Sequence, residues 1–389
     1  MSLEQEKQHI FQLLTSSEEN NKLALTLLKG NPELKKAIEA EILPILSVVK
    51  KKTLKSLYGF VQTFYTQKKA GNTYYVERDC KKVYKKFIKA GRINDFLQIL
   101  AKIPAASNRT DYLHLDNANL SEFPPLESFP ELINIHLPNN QIKVLPAYVV
   151  SFSKLFQLNL ENNAISVLPD SLHQLQRLGT LNLKNNALES IPEHLLQLSR
   201  LHSLSLNFNK IETLPENFNQ LTRLYTLALD NNKIKELPTT FGDFVDLGYL
   251  SIAHNQIQEL PEALCLLPKI GCLLLHDNQI KALPDSFGHF PQLEYLQLHN
   301  NQLASLPASF GEHLTKLKSL HLQNNQLTSL PESFAKLKLD DLNLANNQLA
   351  HVPPVLYQLQ FTKLNLKGNP IPKEEILLAK ERLQGKVIF

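Results

Sequence analysis

From Leu113 to Pro370, apolar and polar positions keep returning in one frame, L-x-L-x-x-N-x-[LI]-x-x-[LIV]-P or a close variant. In the stretch from Leu201 to Pro215, the apolar positions are Leu201, Leu204, Leu206, Ile211 and Leu214, with Ser203, Ser205, Asn207 and Phe208 between or beside them. Alternation around Leu204 and Leu206 predicts a short strand with the leucines inward and their neighbours outward. Asn209 stands where the chain must leave the strand. A short neutral amide can both donate and accept, which suits buried turn backbone in its own and adjoining coils. Pro215 cannot continue a strand ladder, so the chain turns there into a return segment. In that segment Leu214, Phe218, Leu221 and Leu224 recur every three or four residues, the spacing of a short helix or 3₁₀ turn.

The frame is copied with little insertion. Asn140, Asn163, Asn186, Asn209, Asn232, Asn255, Asn278, Asn301, Asn325, Asn347 and Asn369 mark it, and the first seven intervals are all 23 residues. An earlier frame, Leu113 to Pro124, carries Ala118 in place of the asparagine and brings the number of repeats to about twelve. Such copying predicts a solenoid, and parallel strands about 4.8 Å apart would form a ladder roughly 55 Å long. Returns bulkier than strands would curve the stack and leave the strands concave.

Before the array the period turns helical, as in Leu34, Ile38, Ile42, Ile45 and Val49, with breaks at Gly30-Asn31-Pro32, Gly71-Asn72, Gly91 and Pro104. Four to six helices are expected over residues 3–103, covering the open first coil. Beyond Asn369 the frame changes at Pro370, and Glu374 to Leu383 reads as an amphipathic helix, followed by a final strand over Lys386 to Phe389. The expected organisation is therefore a basic helical domain and cap at 1–105, the array at 106–371, and a capping helix and tail at 372–389.

Charge separates these regions. Residues 1–105 hold 19 Lys/Arg against 10 Asp/Glu, and the remainder 22 against 27. Lys50-Lys51-Lys52, Lys68-Lys69 and the run Lys81 to Phe87 interleave cations with aromatics, so binding of nucleic acid or an anionic surface by the first domain is the alternative function. Three cysteines, no secretory h-region and no long apolar run point to a reducing, cytoplasmic location without membrane insertion.

The repeated frame resembles that of typical 23-residue leucine-rich-repeat proteins with a Leu-Pro ending, such as Ras-suppressor-like and bacterial cytoplasmic members. The resemblance spans about residues 110–371. It implies an α/β fold, a curved solenoid with parallel strands on the concave face, here preceded by an all-helical capping domain. It also implies a scaffold on which many binding specificities are built.

Residues between the inward leucines form columns across the strands. Repeats seven to ten place Tyr249, His254, Leu274, His276, Asp277, Tyr295, His299 and His321 on one face, a composition that protein interfaces favour. Phe208 joins them as an apolar residue where equivalent positions hold asparagine, and His114 and His136 form a smaller ladder. A metal at His276 and His299 would need a third ligand that spacing does not supply, so no metal or cofactor is expected. Cys272 reads as an inert thiol. No Gly-rich phosphate loop, H-E-x-x-H, G-x-S-x-G or C-x-x-C occurs, and no catalytic module is expected after the array, which together predict a non-enzymatic protein. A ladder of roughly 55 Å by 15 Å offers about 800 Å², enough for a protein or extended peptide. The chain is expected to work as a monomeric scaffold, with nucleic acid not its main partner.

Overall fold

The computed structural model describes residues 2, 5–6, 24, 27–28, 30–38, 112–383 and 386–389. The remaining helices expected over 3–103, the basic clusters and Cys80 lie outside the described residues. The chain divides into two compact units, Met1–Asn159 and Leu160–Phe389.

In the first unit, residues 32–38 are helical. Asn31 caps this segment, its Oδ1 accepting the Leu34 N–H at 3.1 Å, and Pro32 follows in the first turn, where its missing N–H costs nothing. Leu34 and Ile38 are buried, as their spacing predicts. Three short strands then pair in parallel: β1 (Tyr112–His114), β2 (Asn134–His136) and β3 (Gln157–Asn159). Leu113, Ile135 and Leu158 share a register row. Beneath them Tyr148 donates its hydroxyl to the Pro124 carbonyl at 2.6 Å, and burial pushes its phenol up to about 12.

In the second unit the strands run β4 (Thr180–Asn182), β5 (Ser203–Ser205), β6 (Thr226–Ala228), β7 (Tyr249–Ser251), β8 (Cys272–Leu274), β9 (Tyr295–Gln297), β10 (Ser319–His321), β11 (Lys338–Asn343), β12 (Gln360–Asn365) and β13 (Lys386–Ile388). Each pairs in parallel with the next in chain order. The inward residues Leu204, Leu227, Leu250, Leu273 and Leu296 are fully buried. Return arcs are 3₁₀ turns, as at Asp170–Gln174, Glu193–Gln197, Thr239–Asp243 and Glu262–Leu266. A proline with φ between −56° and −74° precedes each of these four, Pro169, Pro192, Pro238 and Pro261, because its ring presets the entry angle. Phenylalanines fill the space behind them: Phe287 stacks on Phe310 at 6.1 Å, and Phe310 on Phe334 at 6.0 Å. A glycine follows Phe310 for a steric reason, since a Cβ on Gly311 would stand 2.1 Å from the Ser333 carbonyl oxygen of the next arc.

The recurring asparagine does what its amide chemistry predicts. Asn209 Nδ2 donates to the carbonyls of Leu206 at 2.9 Å and Leu183, one coil earlier, at 3.0 Å, while its Oδ1 accepts the Leu188 N–H at 3.0 Å. Asn232, Asn255, Asn278 and Asn301 repeat the arrangement. In the first unit Asn140 serves the frame that lacks its own asparagine, accepting the N–H groups of Ala118 and Leu120, both at 3.0 Å.

At the far end, α1 (Lys373–Arg382) forms where the helix was expected, and β13 extends the sheet beside β12. Glu375 docks the helix onto the preceding coil, accepting the Val352 N–H at 2.8 Å and facing His351 Nδ1 at 3.0 Å. The helix buries Ala379 and leaves Leu377 and Leu378 exposed, so it covers the coil with a narrower apolar stripe than its composition suggests.

Candidate functional site

Strand register places the predicted face residue by residue. Tyr249, Cys272 and Tyr295 are Cα partners at the start of β7, β8 and β9, and Ser251, Leu274, Gln297 and His321 form the next column. Burial pushes the phenol of Tyr249 and the thiol of Cys272 up, so at neutral pH the thiolate is disfavoured. Tyr295 is half exposed, while Tyr249 and Cys272 beside it are less so.

Five of the predicted residues follow their strands rather than lie on them, Phe208, His254, His276, Asp277 and His299. Phe208, His254 and Asp277 have φ of 57°, 53° and 55°, the left-handed corner between strand and turn, where other coils carry Asn162, Asn185, Asn231, Asn300, Asn324 and Asn346. An L-residue there brings its Cβ close to a carbonyl, a conflict that Asn, Asp and His tolerate better than bulky residues do. Phe208 is therefore the outlier of the series; 47% exposed, its ring lies 6.0 Å from the Lys184 ammonium. It belongs to the β5 coil, two repeats before His254.

The remaining polar residues converge. His276 and His299 stack with ring centroids 4.4 Å apart and planes 8° from parallel, and His254 meets His276 edge-on at 5.4 Å. Asp277 Oδ2 lies 3.6 Å from His254 Nε2 and 4.0 Å from His299 Nε2. Its other oxygen, Oδ1, accepts the Asn300 amide at 2.7 Å, which fixes the carboxylate's orientation. His321 meets His299 edge-on at 6.2 Å, and its Nε2 lies 3.5 Å from Asp341 Oδ2. Burial pulls the His276 imidazole below its ordinary range; burial first, then the neighbouring His276, hold His299 down at about 4. Both rings are thus neutral at pH 7, and among the described groups neither Nδ1 has a hydrogen-bond partner.

Four further residues contribute that were not among the predicted site residues: Asp230, Ser251, Asn300 and Asp341. Asp230 occupies the column of His276 two coils earlier, where its Oδ1 accepts the Ala253 N–H at 2.8 Å and the Ser251 hydroxyl. Asp341 pairs with Lys363 at 3.3 Å. Column position was the available signal for Asp230, for Ser251 and for Asp341, which is in register with Ser319 and Tyr295, and the corner position was the signal for Asn300.

The leucine rich repeat family model matches residues 130–188, 176–234, 222–280, 250–303 and 291–349, an unbroken stretch of more than half the chain. No curated protein matches significantly. Among solved structures, an internalin, inlF, from Listeria monocytogenes superposes with a TM-score of 0.62 at 20% identity, over 78% of this chain and 94% of its own, which shows the shared fold. A chain of the octameric complex of latrophilin 3, Unc5D and the leucine-rich-repeat part of FLRT2 aligns at 25% identity and TM-score 0.59, over 70% of this chain and 86% of its own. The plant peptide hormone receptor RGFR1 in complex with RGF2 aligns at 28% identity and TM-score 0.57, over 62% of this chain; the chain spans only 41% of that receptor.

Proposed function

Since the chain belongs to the leucine-rich-repeat family, whose repeats build protein-protein interaction modules that are generally non-catalytic, we propose that its concave strand face binds a protein or an extended peptide. The carrying observation is the half-exposed Tyr295 aligned with Cys272 and Tyr249 across three adjoining strands. Aromatic rings there offer large contact area at small entropic cost, and the leucines that anchor their backbone are fully buried. The RGFR1 and FLRT2 structures, both complexes, support a peptide or protein as the class of occupant. The protein would act as a monomeric scaffold in a reducing cytoplasm, which suits the free thiols of Cys265 and Cys272.

The test is Tyr249→Ala combined with Tyr295→Ala in the full chain. Capture of a native partner from the source cell should weaken at least tenfold while the thermal melt stays unchanged. Undiminished capture with the double variant would remove this face from the proposal.

A further inference from the structure

The repeat frame reserves the left-handed corner for asparagine, yet two successive coils replace it with His254 and Asp277, and these flank His276. The three side chains offer donor atoms all within 4.8 Å of one another. We infer that His254, His276 and Asp277 form a binding site for a divalent transition-metal ion, zinc fitting best, with the fourth position left to water or a further ligand. This does not depend on what the strand face binds.

The geometry is close to what such an ion requires. A tetrahedral zinc with bonds of about 2.0 to 2.1 Å holds its donors roughly 3.3 Å apart. Asp277 Oδ2 already lies 3.6 Å from His254 Nε2, and no two of the three donors are more than 4.8 Å apart. Closing those gaps takes small side-chain rotations, and His254, at the exposed edge of the cluster, is free to make them. Among the described groups the His276 Nδ1 has no hydrogen-bond partner, so no such bond has to be broken for this ring to serve as a ligand. Asp277 has the support expected of a ligating carboxylate: Asn300 occupies Oδ1 at 2.7 Å and leaves Oδ2 facing the imidazoles. Imidazoles with one carboxylate form a donor set suited to zinc rather than magnesium or calcium, which take oxygen ligands.

Full-length protein stripped with EDTA and titrated with zinc chloride by calorimetry should show one tight site per chain. Cobalt(II) in its place should give the visible absorption of a four-coordinate ion. His276→Ala should lower zinc affinity at least tenfold. So should the double variant His254→Asn, Asp277→Asn, which installs the residue that other coils carry at this corner and so keeps the fold, as its melt will verify. The reference is His114→Ala with His136→Ala, which should bind zinc as the unaltered chain does. Binding that survives both site variants, or falls equally in the reference variant, or is absent from the unaltered chain, overturns the inference.

Discussion

The two units each hold a stacked imidazole pair on the strand side, alike in spacing and different in surroundings. His114 and His136 lie 4.5 Å apart on β1 and β2; His276 and His299 lie 4.4 Å apart in the coils of β8 and β9. A third pair, His289 and His313, stacks at 4.7 Å on the return side. Stacking is therefore a product of register: histidines one repeat apart are brought to the strand spacing wherever they fall. What differs is position within the coil. His114 and His136 lie between inward leucines, while His276 and His299 each lie one residue before the left-handed corner, beside Asp277 and Asn300. The corners next to the first pair carry Asn117 and Asn139. A ladder of like residues is thus cheap in a repeat protein, and the chemistry resides in what the neighbouring corner adds.

That contrast can be broken most severely from beneath. Asn278 supports the second pair, donating to the Ile252 carbonyl at 2.9 Å and the Leu275 carbonyl at 3.1 Å and accepting the Ile257 N–H at 3.1 Å. Asn278→Ala should cost about 3 kcal/mol, since buried backbone groups lose partners worth roughly 1 to 3 kcal/mol each. Hydrogen exchange at the Ile257 amide should rise accordingly while amides around His114 and His136 stay protected, because coupling in a solenoid runs mainly between neighbours. Equal loss of protection around both pairs would mean that they do not report separate regions. A smaller change, in the stabilising direction, is expected at the corner itself. Phe208→Asn should raise stability by about 1 kcal/mol in a urea melt by relieving the left-handed strain, and an unchanged midpoint would deny that the corner constrains side-chain choice.

The mildest prediction belongs to the first unit, where alkali should act through Tyr148. Its folded phenol titrates at about 12, above the ordinary 10, so the fold favours the neutral form. The resulting stability is present below pH 10 and is lost as pH rises from 10 to 12, because the unfolded chain releases that proton first. Tyr148→Phe should flatten this alkaline slope, followed by circular dichroism, and a slope that persists would assign it to another group.

Most of the fold was legible because it is written locally. Leu204 and Leu206 announced a strand, Asn209 a turn with bonds in both directions, and Pro261 the entry to a return arc, each from chemistry within one repeat. The columns follow from the repeat period by arithmetic, which puts Tyr249 and Tyr295 on one face. The cluster was only half legible. His276 and His299 could be paired, but strand alternation says nothing about where His254 and Asp277 point, since both follow the strand at positive φ. Asn300 could not be assigned to the Asp277 carboxylate for the same reason, and the exposure of Leu377 and Leu378 on α1 depends on which face the helix turns to the last coil.

The left-handed corner also limits what the protein can become. Each coil needs a residue that tolerates positive φ, and apart from glycine the residues enriched there are asparagine, aspartate and histidine. Two of those three are metal ligands and acid-base groups, and asparagine is separated from each by little steric change. Drift at this one backbone position is therefore channelled toward reactive side chains, delivered at a fixed pitch along the sheet. In such an array new chemistry arises where substitution is most constrained, and the freely varying strand columns are left to choose the partner.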